Sequence, residues 1–335
     1  MKPLLALFAP GALIATALAA DPQWVTYEGQ DGPGKGKHIV FLAGDEEYRS
    51  EEALPHLARI LSRQHGFKST VVFSLNPDTG AIDPNTKNNQ PGIEALGSAD
   101  LCVTALRFRA WPDQQMKHFA DYYLAGKPIV ALRTSTHAFQ LPAESSYKQF
   151  NDFGKNVLGE RWVSHWGKHK SEATRGVIQP AAKDHPILRG VEEIFGNTDV
   201  YEAYPPADAK ILLRGEVVKG MKPGDPPADY RKKRATDKQE QGVNDPMMPI
   251  AWTREHRNEA GKTNRIFTTT MGSSTDLQSE GLRRLLVNAA YWAIGLEEKI
   301  PAKAKVAFVG DFEPLMYGFN GYKKGVKPAD WALAQ

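Results

Sequence analysis

His38-Ile-Val-Phe-Leu-Ala43 runs into Gly44-Asp-Glu-Glu-Tyr-Arg49, and from Ser50 onward Leu54, Leu57, Ile60 and Leu61 recur at helical spacing until Gly66. The first run is apolar throughout after its histidine, as a strand covered on both faces requires. The second is a polar turn, and the third is one stripe of a helix with a glycine stop. The same unit repeats. Residues 70–75, 101–106 and 129–132 read as strands, and the spacing of Met116, Phe119 and Tyr123 predicts a helix over 112–124. Strands that alternate with helices in this way form a parallel sheet with right-handed crossovers, so the fold class is α/β.

Beyond Thr134 the pattern loosens. A helix is expected at 151–158 and strands at 174–178, 199–203, 210–217, 248–252 and 265–270. The clearest helix is 280–294, with Leu282, Leu285, Leu286, Ala289 and Trp292 on one face. Residues 76–91 form a polar loop long enough to be functional. The excursion 221–245 holds Arg231-Lys-Lys-Arg234, which reads as a solvated loop. Lys2, the apolar stretch from Leu4 to Leu18 and Ala17-Leu-Ala19 make residues 1–20 a cleavable signal peptide, too short to span a bilayer. The expected organisation is therefore a signal peptide (1–20), an N-terminal arm (21–37), an α/β domain (38–295) and a C-terminal extension (296–335) wrapped over the body. The location is periplasmic or secreted, with no membrane span after cleavage.

The 335 residues are 41% hydrophobic and 24% charged, with 42 basic and 39 acidic side chains and a net charge of +3. That balance is too even to imply a nucleic-acid partner, and none is expected. The single cysteine, Cys102, lies inside a strand-like apolar run and reads as an inert core residue.

Ligands of an open parallel sheet bind beyond the carboxyl ends of its strands. Those ends carry Asp45, Glu46, Glu47, Tyr48 and Arg49, then Arg107 and Arg109, then Arg133 and His137. Carboxylates facing guanidinium groups suit hydroxyl-rich or anionic ligands, or else neutralise one another in a structural ion network. A second cluster is Trp162-Val-Ser-His165-Trp-Gly-Lys-His169. His165 and His169 share a face on a helix or a strand, so the pair can chelate Zn²⁺ or simply hydrogen-bond. Trp162 and Trp166 beside them offer a surface on which a sugar ring can stack. The turn 268–275 ahead of Asp276 offers backbone N–H groups to a ligand, or caps the next helix.

Gly126-Lys-Pro-Ile-Val-Ala-Leu132, Asp184-His-Pro-Ile-Leu188, Asp199-Val-Tyr201, Pro249-Ile-Ala-Trp252, Arg265-Ile-Phe-Thr268 with Met271-Gly272, and Arg283-Arg-Leu-Leu-Val-Asn288 with Trp292-Ala293 resemble the ThuA-like (trehalose utilisation) family over about residues 38–295. The resemblance implies a flavodoxin-like, class I glutamine amidotransferase-like three-layer sandwich with a mainly parallel sheet. Amidotransferases need a cysteine on the turn after the strand at 129–132 and a histidine after a late strand. This chain places Arg133-Thr-Ser135 and Met271-Gly-Ser273 there, so glutamine hydrolysis is not expected. The family likeness implies carbohydrate metabolism instead, with a glycoside, disaccharide or keto-sugar processed alongside a sugar oxidoreductase. In the enzyme reading His137 or His169 is the general acid/base with Asp45 or Glu47 as its carboxylate partner. Tyr48, Arg107, Arg109 and Arg133 then bind substrate, and Trp166 stacks on a ring. The other readings are a non-catalytic sugar-binding or scaffold protein and, third, a metal-dependent hydrolase of an unrelated substrate.

Overall fold

The structure is a computed structural model that describes residues 22–333; the expected signal peptide lies outside the described residues. β1 (Trp24–Tyr27) is a short edge strand of the N-terminal arm, and β2 (His38–Gly44), β3 (Lys68–Phe73), β4 (Leu101–Leu106) and β5 (Ile129–Leu132) build the parallel core. The sheet order is β1-β3-β2-β4-β5, continued by Thr263–Thr269. The pairs from β3 through Thr263–Thr269 are all parallel, while β1 runs antiparallel to β3. With β2 as the first core strand, the chain winds to one side for β3 and to the other for β4. That is flavodoxin-like winding, whose switch point opens a crevice between the ends of β2 and β4.

An antiparallel wing extends the sheet past Thr263–Thr269 through Met248–Arg257, Lys210–Val217, Thr174–Ile178 and Phe195–Gly196. The parallel strands are buried at nearly every position, which is why they read as unbroken apolar runs. Helices α1 (Ser50–His65) and α3 (Glu280–Ala293) cover one face, burying Leu54, Leu57, Leu282 and Leu286 in one core. Helix α2 (Asp113–Leu124) covers the other, burying Met116 and Phe119 with Phe139 and Phe153. These are the three layers. Gly66 ends α1 in the left-handed region, and its N–H reaches the carbonyls of Leu61 and Ser62.

Three sequence expectations change. The helix expected at 151–158 is a 3₁₀ turn, Lys148–Asp152, followed by a single π turn, Gly154–Leu158. The basic run is not a loop: Arg231–Lys233 pairs with Glu240–Gly242 as a two-stranded ribbon. Alternation points Lys232 inward, where its amine donates to the carbonyls of His165 and Trp166 at 3.0 and 2.8 Å. The strand expected at 199–203 is reduced to Tyr201–Glu202, paired with Ser164–His165. Cys102 is fully buried, and burial pushes its thiol pKa up. Among the described residues, no helix is long and apolar enough to cross a membrane.

The C-terminal segment packs along α1, with Phe312 against the ring of His56 and Trp331 under Arg59. Beneath it Glu51 is buried, and neither carboxylate oxygen has a hydrogen-bond partner. The start of a helix normally favours a negative charge. Here burial outweighs that and the Arg49 guanidinium 3.7 Å away, raising the Glu51 pKa from 4.5 to about 8. A carboxyl with a raised folded-state pKa stabilises the fold fully below pH 4.5, and that contribution is lost as pH rises to about 8. Glu51→Gln is therefore expected to be more stable than wild type at pH 8–9, by on the order of a few kcal/mol, and no more stable at pH 4. Urea midpoints at the two pH values test this; an equal difference at both contradicts it.

Candidate functional site

Four of the seven non-glycine residues with positive φ among the described residues border one cleft. Arg49 (φ 60°), Phe108 (47°) and Arg133 (43°) follow β2, β4 and β5, and Lys170 (61°) faces them. Bulky residues adopt this conformation only where the surroundings impose it, and such positions gather at functional sites. The cleft holds about 250 Å³ and lies at the crevice between β2 and β4. Glu47, Tyr48, Arg107, His137, His165 and His169 line it, together with Phe108, Trp162, Lys170, Tyr201 and Phe319.

The strand ends divide into a buried floor and an open face. Asp45 belongs to the floor: its carboxylate accepts the N–H groups of Glu47 and Tyr48 at 2.7 and 2.9 Å and the Thr134 hydroxyl, so it shapes the turn that presents Glu47. Burial raises the Asp45 pKa. Arg109 is also fully buried. It donates to Glu46 at 2.8 Å and to the carbonyls of Pro84, Thr86 and Arg107 at 2.8–3.1 Å, tying the 76–91 loop to the sheet. Neither residue lines the cleft. Trp166 does not offer a stacking face: its indole is fully buried, donates to the Val243 carbonyl at 2.7 Å, and is covered by the Lys232 amine. The ribbon occupies the face that a sugar would need. Trp162, four residues earlier, is the exposed tryptophan of the cleft.

Arg133 lies under the cleft, sandwiched between the rings of Tyr201 (3.8 Å) and Tyr48 (4.5 Å). Its guanidinium donates to the Asp199 carboxylate at 2.9 Å and to the carbonyls of Asp199 and Thr270 at 2.8 and 2.7 Å. Asp199 is a residue to which the sequence alone assigns no role. The short pairing of Ser164–His165 with Tyr201–Glu202 brings it beneath both histidines. Its Oδ2 lies 2.8 Å from His165 Nδ1 and its Oδ1 3.0 Å from His169 Nδ1. Burial opposes its charge, but Arg133 and the two histidines prevail and hold its pKa far below the usual carboxylate range.

His169 bridges two carboxylates, because its Nε2 lies 3.1 Å from Glu47 Oε1. Both ring nitrogens must donate to satisfy both partners, which makes the ring an imidazolium. The hydrogen bonds from Asp199 and Glu47 outweigh desolvation and lift its pKa to about 9. Burial works against the charge on Glu47, but His169 and Arg107 outweigh it and keep its pKa below the ordinary value. His137 is the opposite case. Its ring sits between Phe108 (4.9 Å) and Trp162 (5.6 Å), and burial with the positive charge of Arg107 and Arg133 drives its pKa well below 6.5. Its Nδ1 meets the Thr136 hydroxyl at 3.3 Å, and Nε2 has no hydrogen-bond partner among the described residues. One cleft therefore holds a charged histidine and a neutral one.

Two other features bear on chemistry. One donor atom each from His165, His169 and Asp199 lie within 4.8 Å of one another, a set that fits a divalent cation such as Zn²⁺. The turn 268–275, by contrast, serves its own Asp276, whose carboxylate takes the N–H groups of Gly272 and Ser273 at 2.9 and 3.2 Å.

The winding and the parallel core define a flavodoxin-like α/β protein, with Arg133 on the turn after β5 in the left-handed region. The Arg133 N–H donates to the Met271 carbonyl at 3.1 Å, and Gly272 (φ 129°) lies so close to Leu132 that a Cβ would stand 2.9 Å from it. The chain belongs to the ThuA family: residues 37–293 match the family model described as ThuA, trehalose utilisation. No curated protein matches the sequence. Among solved structures, the ThuA-like protein of Parabacteroides merdae ATCC 43184 is similar with a TM-score of 0.50 and 16% identity, over 85% of this chain and 98% of that one. The ThuA-like protein of Bacteroides uniformis ATCC 8492 matches with a TM-score of 0.48 and 14% identity, over 80% and 95%.

Proposed function

We propose that this ThuA-family protein is exported and processes a small carbohydrate, a glycoside, disaccharide or keto-sugar, by proton transfer in the His137–His169 cleft. The observation that carries the reading is the placement of two histidines of one cleft in opposite environments: His169 bridges two carboxylates, while His137 lies between two aromatic rings. Environments that push two titratable groups apart assign an acid and a base. His169 is the proton donor, held by Glu47 and by Asp199, and His137 is the base, with its free Nε2. Arg107 and Tyr48 supply polar contacts, and the aromatic walls suit the apolar C–H faces of a sugar ring. Asp45, Arg109 and Arg133 act as framework that positions Glu47 and Asp199. A keto-sugar arises by oxidation of a sugar hydroxyl, so a sugar oxidoreductase is the fitting supplier.

Saturation-transfer NMR with D-glucose, trehalose and cellobiose tests the binding half of this reading. Contact with at least one sugar, lost in His137→Trp, which fills the cleft, is the expected result; no contact with any carbohydrate overturns it. Binding without turnover would make the protein a sugar-binding module. Export predicts a secreted or periplasmic chain whose N-terminus is near Ala20 or Asp21, as N-terminal sequencing would read.

The His165–His169–Asp199 donor set favours a second reading, in which the same residues hold Zn²⁺. A histidine ligand commonly donates its other ring N–H to a carboxylate, and Glu47 stands in that position behind His169. A bound cation would supply Lewis-acid polarisation of a sugar hydroxyl or carbonyl. Metal analysis of the purified protein separates the readings. Stoichiometric zinc in wild type that is absent from a still-folded His165→Ala/His169→Ala variant supports the metal; none after incubation with zinc leaves proton transfer alone.

A further inference from the structure

The wall of the cleft can be followed ring by ring. The Arg107 guanidinium lies 4.8 Å from the Phe108 ring, and Phe108 lies 4.9 Å from His137. His137 is 5.6 Å from Trp162, which is 5.6 Å from His165. His165 and His169 are 4.4 Å apart, and Tyr317 follows at 5.7 Å. Gly318 then links Tyr317 to Phe319, whose ring lies 5.0 Å from the Arg107 guanidinium and closes the circuit. The rest of this collar falls inside the family match, which ends at residue 293. The closing piece comes from beyond it.

That piece is firmly held. The Gly318 N–H donates to the Glu47 carbonyl at 2.7 Å, and Arg49 donates to the Gly318 carbonyl. Tyr317 stacks on Tyr48 at 5.1 Å, and its hydroxyl donates to the Asn197 carbonyl at 3.1 Å. Leu315 is fixed at both ends, by Ser274 at 3.0 Å and by Glu52 at 2.9 Å. Against this rigid backbone Phe319 leaves 52% of its surface in water, while Trp162, elsewhere on the collar, leaves 36%. A large ring kept half exposed on a well-fixed segment at the mouth of a polar cleft is available to a ligand as a contact surface.

We infer that residues 317–319 are a working part of the binding site and that Phe319 is the platform for a second ring of the substrate. The cleft, about 250 Å³, is smaller than pockets that enclose a drug-sized ligand, so it takes one ring and leaves the next at its mouth. The ligand is then a disaccharide, or a glycoside with a ring-sized aglycone, rather than a free monosaccharide. This rests on the carbohydrate reading above and adds a ligand size to it.

Isothermal titration of wild type, Phe319→Ala and Phe319→Tyr with D-glucose, trehalose and cellobiose tests it. The alanine variant is expected to bind a disaccharide about three- to tenfold more weakly, the span of one aromatic contact. Glucose affinity should fall by a clearly smaller factor than disaccharide affinity, and the tyrosine variant should restore disaccharide binding. Disaccharide affinity unaffected by Phe319→Ala, or glucose and disaccharide weakened equally, overturns the inference while leaving the carbohydrate reading in place. A wild type that binds none of these sugars overturns both.

Discussion

On the proposed proton-transfer reading, His169→Ala is expected to lower turnover of the bound sugar by about 10²- to 10⁴-fold, the usual worth of a positioned acid or base, while sugar affinity falls far less. The reason lies in the geometry: the ring keeps both protons because Asp199 and Glu47 each accept a hydrogen bond from one of its N–H groups, at 3.0 and 3.1 Å. Glu47→Gln should reproduce part of the loss, since a neutral amide removes one of the two charges that keep His169 cationic. Asp45→Asn tests the other carboxylate proposed as a partner. The Asp45 carboxylate accepts hydrogen bonds from Thr134 and from the N–H groups of Glu47 and Tyr48, so its replacement should cost stability first and rate only through a displaced Glu47. Rates with unchanged substrate affinity, read beside urea midpoints, separate the two. A His169→Ala variant with wild-type turnover removes the residue from the chemistry.

Arg133→Met is expected to have the largest effect on stability, about 3–5 kcal/mol, because it leaves the Asp199 carboxylate buried without its guanidinium partner. Asp199 is 1% exposed, and the two tyrosine rings around Arg133 would lose the cation between them. The double variant Arg133→Met/Asp199→Asn should recover much of that loss, because the uncompensated charge goes with the second change. Urea unfolding of wild type, both single variants and the double variant gives the cycle. A single-variant loss below about 1 kcal/mol would mean that the pair is solvated like a surface ion pair.

The parallel core is readable in the sequence because both of its faces are covered. His38–Gly44, Leu101–Leu106 and Ile129–Leu132 need apolar residues at successive positions, and that leaves unbroken runs. Helix α3 is equally plain from its stripe. The ribbon at Arg231–Lys233 is not, because three charged residues look alike whether they are solvated or whether Lys232 turns inward over Trp166. The same ambiguity makes Trp166 look like a stacking face in the sequence, since nothing near it in the chain shows what covers it.

The site is legible as far as the strand ends go. Glu47, Tyr48, Arg107 and His137 all lie just beyond the core strands, where a parallel sheet places its ligands, and all four line the cleft. The same rule cannot tell these from Asp45, Arg109 and Arg133, because it gives the end of the sheet and not the depth of a side chain. Asp199 escapes for a different reason. Its approach to His165 and His169 depends on a two-residue pairing, too short to leave any periodicity. Phe319 lies about 150 residues from His169 in a Gly-rich tail, and the contacts of Tyr317 and Gly318 with Glu47, Tyr48 and Arg49 bring it to the cleft.

If His137 and His169 move protons on a bound sugar, as proposed, solvent exchange reads it without a coupled assay. Trehalose and its chemically oxidised keto form are incubated with the protein in D₂O and followed by NMR. Wild type is expected to convert one of them or to exchange a carbon-bound proton of the keto form for deuterium, and His137→Gln and His169→Gln should each abolish this. Conversion or exchange that persists undiminished in both variants, or a sugar that binds in the cleft with no exchange and no conversion at all, would contradict it.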